Sequence, residues 1–128
     1  METVIFSISP RTIVTIGSIT PENIEMFLDY SQGNSVIWAY HTGRDKMLIN
    51  LQERFKDFHR VSVESADKNT LDNIIMGNAD IIHSNVEINP SKFLNLLSQK
   101  GVIFIEGSVP VSPGSNMITV GNLTIIKE

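Results

Sequence analysis

At 128 residues, 41% of them hydrophobic and 19% charged, the chain has the composition of one folded domain spanning 1–128, long enough to bury a core without disulfides. A net charge of −4 with thinly spread basic residues offers no electrostatic footprint for nucleic acid or an anionic membrane. The lack of cysteine excludes disulfides, cysteine zinc sites and a thiol nucleophile, and no apolar run approaches the length of a membrane span.

The first ten residues, METVIFSISP, have no basic start and few apolar residues before Pro10, so they do not read as a signal peptide and a cytoplasmic protein is expected. Within them Thr3–Ser9 is strand-like and ends at a proline, as an edge strand or a pairing arm would. The organising stretch is Arg11–Asn23, RTIVTIGSITPEN. Its β-branched run Ile13–Gly17 predicts a strand that ends at glycine. Thr20 is placed to cap a helix, with Pro21 at the first helical position and Glu22 near the positive end of the dipole. That helix is predicted over Pro21–Gln32, with Ile24, Phe27, Leu28 and Ser31 on one side and Gly33 at C′.

Ser35–His41 (SVIWAYH) is nearly all apolar, which predicts a strand covered on both faces, with Trp38 in the core. Thr42 can cap a helix running from Gly43 to about His59, whose Leu48, Leu51, Phe55 and Phe58 recur at helical spacing. Arg60–Ser65 alternates as a short strand. Thr70–Met76 predicts a short helix stopped at Gly77, and Ala79–Ser84 a fourth strand. Asn89-Pro90 opens a helix carrying Phe93, Leu94, Leu96 and Leu97 that Gly101 closes, and Val102–Glu106 is a fifth strand. A Pro/Ser/Gly-rich loop, Gly107–Asn116, leads to Met117–Val120 and Leu123–Lys127. These flank Gly121-Asn122, a two-residue hairpin signal. Strands alternating with helices mean parallel pairing with right-handed crossovers.

Five βα units closed by a hairpin resemble the class I S-adenosylmethionine-dependent methyltransferases, over Ile13–Lys127. Short sugar methyltransferases of this class carry a segment similar to Thr70–Glu87, in which Leu-Asp opens a short helix and Asp-Ile-Ile starts the fourth strand. The resemblance implies an α/β fold: a three-layer sandwich with a mainly parallel Rossmann-like sheet, helices on both faces and a C-terminal antiparallel hairpin. It also implies a cofactor, S-adenosylmethionine. Family members place an acidic residue two positions before the first glycine and further glycines at alternate positions. The matching positions here are Thr15, Gly17, Ile19 and Pro21, so one glycine of three remains. Those glycines let a cofactor approach the backbone, and Ile19 and Pro21 are expected to put bulk there. The second strand ends Ala39-Tyr40-His41, where the family has a carboxylate for the ribose hydroxyls; losing such a bond costs about 1.5–3 kcal/mol, roughly ten- to a hundredfold in affinity. The helix that follows the fifth strand in the family is replaced by the Pro/Ser/Gly loop.

Ligands of such sheets bind outside the carboxyl ends of the strands. That rim gathers Gly17, Ser18, Tyr40, His41 and Glu64 as the cofactor-binding candidates. Asn85, Glu87 and His83 are the candidates for the reacting centre. His41 or His83 could act as a base, with Glu64 or Glu106 orienting it, and a His/Glu metal site is a second option, with no ligand set assigned. The alternative is polar residues capping strand ends. His83, inside an apolar run, reads as a buried, hydrogen-bonded imidazole, and Asp80 as a structural group at the opposite end of the sheet. A receiver domain would need an acidic pair where Gly17-Ser18 stands and a lysine where Glu106-Gly107 stands, and ITPEN holds no P-loop. The expectation is a small, degenerate methyltransferase-like protein with a small-molecule ligand. The alternative is a non-catalytic interaction or scaffolding module that keeps the fold without the cofactor. Under either, the Thr3–Ser9 strand and the hairpin offer sheet edges through which a homodimer could form.

Overall fold

A computed structural model describes residues 11–31, 33, 35–42, 46–66, 79–86, 93, 96–106, 116–120 and 123–127, with backbone only for 30, 99, 100 and the last two stretches. The elements in chain order are β1 (Thr12–Gly17), α1 (Pro21–Tyr30), β2 (Val36–His41), α2 (Lys46–Arg54), β3 (Val61–Ser65), β4 (Ala79–Ser84), β5 (Leu97–Glu106), β6 (Asn116–Val120) and β7 (Leu123–Lys127). Among the described residues they form a seven-stranded sheet in the order β3-β2-β1-β4-β5-β7-β6. Strands β1 to β5 pair in parallel, and β7 runs antiparallel between β5 and β6. This is the mainly parallel α/β sheet with a terminal hairpin that the sequence predicts. The chain reverses its strand order at β1, so β1 and β4 flank the crevice where such sheets take ligands. The strand-like Thr3–Ser9, the short helix at Thr70–Met76, the opening of the Asn89-Pro90 helix, most of the Gly107–Asn116 loop, the Gly121-Asn122 turn and Glu87 lie outside the described residues.

Each central strand is buried on both faces because its side chains alternate between two apolar layers. Ile13, Ile37, Ala39, Ile81, Val102 and Phe104 point to one face, where Ile24 and Phe27 of α1 and Leu51 of α2 cover them. Val14, Ile16, Tyr40, Ile82, Ile103 and Ile105 point to the other, where the helical residue Phe93 packs with Leu97, and Trp38 packs against that layer. Helix α1 starts as predicted: Thr20 accepts from the Asn23 N–H, Asn23 returns a bond to the Thr20 N–H, and Pro21 sits in the first turn.

Three boundaries differ from expectation, each for a visible reason. Helix α1 ends at Tyr30, with Ser31 in an extended conformation donating its N–H to the Phe27 carbonyl, so Gly33 is not the C′ residue. Helix α2 stops at Arg54, because the Phe58 N–H turns back to the Phe55 carbonyl and the Val61 N–H to that of Phe58. Phe58 is thereby 46% exposed, its ring set edge-on against Phe55, and does not join the buried stripe. Strand β5 begins at Leu97, five residues early. Ala79 pairs with Leu97 but Ile81 pairs with Val102, so the β5 side bulges. Gly101 therefore lies in a strand and does not end a helix. A Cβ there would sit 2.8 Å from the Ala79 carbonyl oxygen, which is why the position is glycine. Asp80 anchors this end of the sheet, accepting from the Arg11 N–H (2.7 Å), the Thr12 N–H (3.4 Å) and the Ser98 hydroxyl (2.6 Å).

Candidate functional site at the carboxyl rim

Parallel register carries the candidate residues to one edge. Gly17 lies beside His41, His41 beside Ser65, Tyr40 beside Glu64, and Ile16 beside Ser84. The rim thus brings together Gly17, Ser18, Tyr40, His41, Glu64, His83 and Asn85.

The chain leaves β1 through Gly17 at φ +134°, a conformation that side chains other than glycine rarely adopt. The turn is held from both flanks. On the β4 side the Asn85 N–H bonds the Ile16 carbonyl (3.1 Å), and the Asn85 carboxamide then lies across the turn. Its Oδ1 accepts from the Ser18 N–H (2.9 Å) and its Nδ2 donates to the Ser18 carbonyl (2.9 Å), closing a two-bond ring. A Cβ built on Gly17 would come within 1.8 Å of Asn85 Oδ1. The space that glycine opens at this turn is filled by the chain's own side chain. On the β2 side the buried His41 accepts the Ile19 N–H on Nδ1 (3.1 Å), and the Thr42 N–H bonds the Gly17 carbonyl (2.8 Å). Ile19 does not stand over the turn as expected. Its side chain is 1% exposed and packs with Ile24 and Phe27, because the turn swings it under the sheet into the α1 layer.

His83 is 1% exposed. Its Nδ1 lies 2.8 Å from the Thr15 hydroxyl and its Nε2 3.2 Å from Glu106 Oε1. Pairing with the carboxylate places the ring proton on Nε2, leaving Nδ1 to accept from Thr15. Burial pushes the His83 pKa below that of a free histidine, against the upward pull of the Glu106 bond and charge. The edge of its ring also meets Phe27 at 5.6 Å between centroids. Thr15, which occupies the position where an acidic residue would be expected, is therefore the polar partner of His83. Its place two residues before Gly17 and the parallel pairing of β1 with β4 are the signals that could have found it. Tyr40 is buried in the second apolar layer, and its pKa is raised first by burial and then by the Glu64 charge; Glu64 is exposed. Among the described residues no group of three or more histidines and carboxylates is placed to hold a metal ion.

No family model matches the chain, and no curated protein matches it by sequence. Solved structures do. An S-adenosylhomocysteine-bound methyltransferase from Podospora anserina, PaMTH1, is similar at a TM-score of 0.74 and 18% identity, over 98% of this chain and 76% of that one. The O-methyltransferase TomG from Streptomyces achromogenes, solved with S-adenosylmethionine, is similar at 0.68 and 12% identity, over 99% and 78%. A methyltransferase from Geobacter sulfurreducens is similar at 0.72 and 12% identity, over 98% and 73%. The likeness is one of fold: this chain has the methyltransferase-like Rossmann fold.

Proposed function

We propose that this chain is a degenerate member of the methyltransferase fold, which works as a non-catalytic interaction module and does not bind S-adenosylmethionine. The observation that carries this reading is the closed turn at Gly17. A glycine turn recognises a ligand through free backbone N–H groups and empty space above the glycine. Here the Ser18 N–H is bonded to Asn85, the Ile19 N–H to His41, and Asn85 Oδ1 stands where the ligand would approach. Strand β2 ends in a buried histidine, His41, at the position where a carboxylate for ribose hydroxyls would stand. The residues at this rim do not fit the cofactor.

Titration with S-adenosylhomocysteine tests the reading. A ligand at one hundred times its Kd stabilises a protein by about 2.7 kcal/mol, which is a thermal shift of several degrees. The wild-type chain is expected to give no saturable heat and no shift at millimolar ligand. A saturable shift would refute the proposal and favour a retained cofactor site, walled by Gly17, Ser18, Tyr40, His41 and Glu64, with Asn85 beside the reacting centre. The exposure of Ser18 and Glu64 on the rim supports that second reading. As a module the chain is expected to self-associate through an edge strand, β3 or β6 among the described residues, which would double the mass measured by light scattering.

A further inference from the structure

Asn85 is more than one of several groups around the turn. Its carboxamide offers an acceptor and a donor on one planar edge, and the backbone of Ser18 offers the matching donor and acceptor. The pairing is that of a short rung of sheet made by a side chain. It is anchored at its root, since the Asn85 N–H is fixed to the Ile16 carbonyl. It also covers Gly17, where φ is positive and no side chain shields the backbone. From this geometry we infer that the Asn85 side chain is a built-in occupant of the glycine turn: it competes with any ligand for the Ser18 N–H and for the volume above Gly17. This inference rests on the reading of a closed cofactor turn and names the residue that closes it.

The competition has a size. A hydrogen bond of this kind shifts an equilibrium by about fivefold, so opening two of them opposes ligand entry by about twenty-five-fold. The His41 bond to the Ile19 N–H stays in place when Asn85 is removed, so the turn keeps its shape while its outer donor is freed.

The experiment compares wild type with Asn85→Ala and Asn85→Ser, using S-adenosylhomocysteine as the probe in calorimetry. Amide hydrogen exchange at Ser18 and Ile19 is read by NMR on the same samples. Asn85→Ala is expected to bind the probe at least about tenfold more tightly than wild type, with faster exchange at Ser18 and unchanged exchange at Ile19. Asn85→Ser is too short to reach either Ser18 group or to fill the space above Gly17, so it is expected to free the Ser18 N–H and gain affinity in the same direction. If Asn85→Ala does not fold, Asn85→Ser carries the test alone. A folded variant that binds no better than wild type, or whose Ser18 amide stays protected, overturns the inference and leaves the closed-turn reading standing. Wild type that already binds tightly overturns the closed-turn reading, and the ratio of variant to wild-type affinity still judges Asn85.

Discussion

Gly17→Ala should be costly, and most informatively so when combined with Asn85→Ala. Two separable effects follow from the geometry. A residue with a Cβ at φ +134° pays backbone strain of about 1–3 kcal/mol. The new Cβ would also lie 1.8 Å from Asn85 Oδ1, which no real contact tolerates, so the carboxamide must swing away and both bonds to Ser18 break. Because Ser18 is exposed, water replaces those bonds, and their loss costs about 1–2 kcal/mol. Gly17→Ala alone should therefore destabilise by about 2–5 kcal/mol, and Asn85→Ala alone by about 1–2. In the double variant the clash has no partner and the bonds are already gone, so only the strain is added to the cost of Asn85→Ala. The double variant should match Gly17→Ala, giving a coupling of about 1–2 kcal/mol in a double-mutant cycle. Urea unfolding of the four proteins at one pH measures it. Additive costs, with Asn85→Ala equally harmful in both backgrounds, would refute the claim that the carboxamide fills the glycine's space.

Three further outcomes follow from the frame around the site. Asp80→Ala strands the Arg11 and Thr12 N–H groups and the Ser98 hydroxyl at a mostly buried position, and should cost about 3 kcal/mol by denaturant unfolding, with Asp80→Asn costing less because one acceptor survives. His83 has a folded pKa below the unfolded value, so both states are neutral at pH 7 and the unfolded chain takes up its proton first on acidification. Its share of stability is whole above about pH 6.5 and falls with pH toward the folded pKa, by at most about 1.4 kcal/mol per unit; His83→Gln should flatten that slope, and a slope unchanged by the substitution would count against the burial of the imidazole. Gly101→Ala presses a methyl against the Ala79 carbonyl oxygen and should cost about 1–3 kcal/mol and speed amide exchange around the bulge in β5, whereas unchanged exchange there would count against the close approach.

The parts of the fold that were legible in the sequence are those where one short stretch carries its own signal. The run from Ile13 to Gly17, the Thr20-Pro21-Glu22 cap and the apolar strand before His41 each state their conformation through local chemistry, and the structure has them as read. The start of strand β5 is not legible locally, because Leu94, Leu96 and Leu97 recur at a spacing that suits a helix. What decides the matter is a partner eighteen residues earlier: the Asp80 carboxylate takes the Ser98 hydroxyl and draws the chain into the sheet before the apolar run begins. Gly101 then looks like a stop signal, although it is a close approach of two backbones. Tertiary pairing overrides local propensity in that way wherever a strand can borrow hydrogen bonds from a neighbour already in place.

The site was half legible for a related reason. Strands and their ends are enough to say which residues reach the rim, so the gathering of Gly17, Ser18, Tyr40, His41, Glu64, His83 and Asn85 is legible in the sequence. Their use of one another could not be read, because each pairing spans two strands that are distant in sequence. Thr15 and His83 are 68 residues apart, Ser18 and Asn85 67, and Ile19 and His41 22. A missing glycine or carboxylate can be counted in a sequence, and it suggests a weakened ligand site. It does not reveal that the vacated donors have been taken up elsewhere. The distinction has consequences, because a weakened site with free N–H groups regains affinity when its lost contacts are restored. A turn whose N–H groups are bonded to Asn85 and His41 does not, and restoring a carboxylate at the tip of β2 would leave it closed until Asn85 is moved.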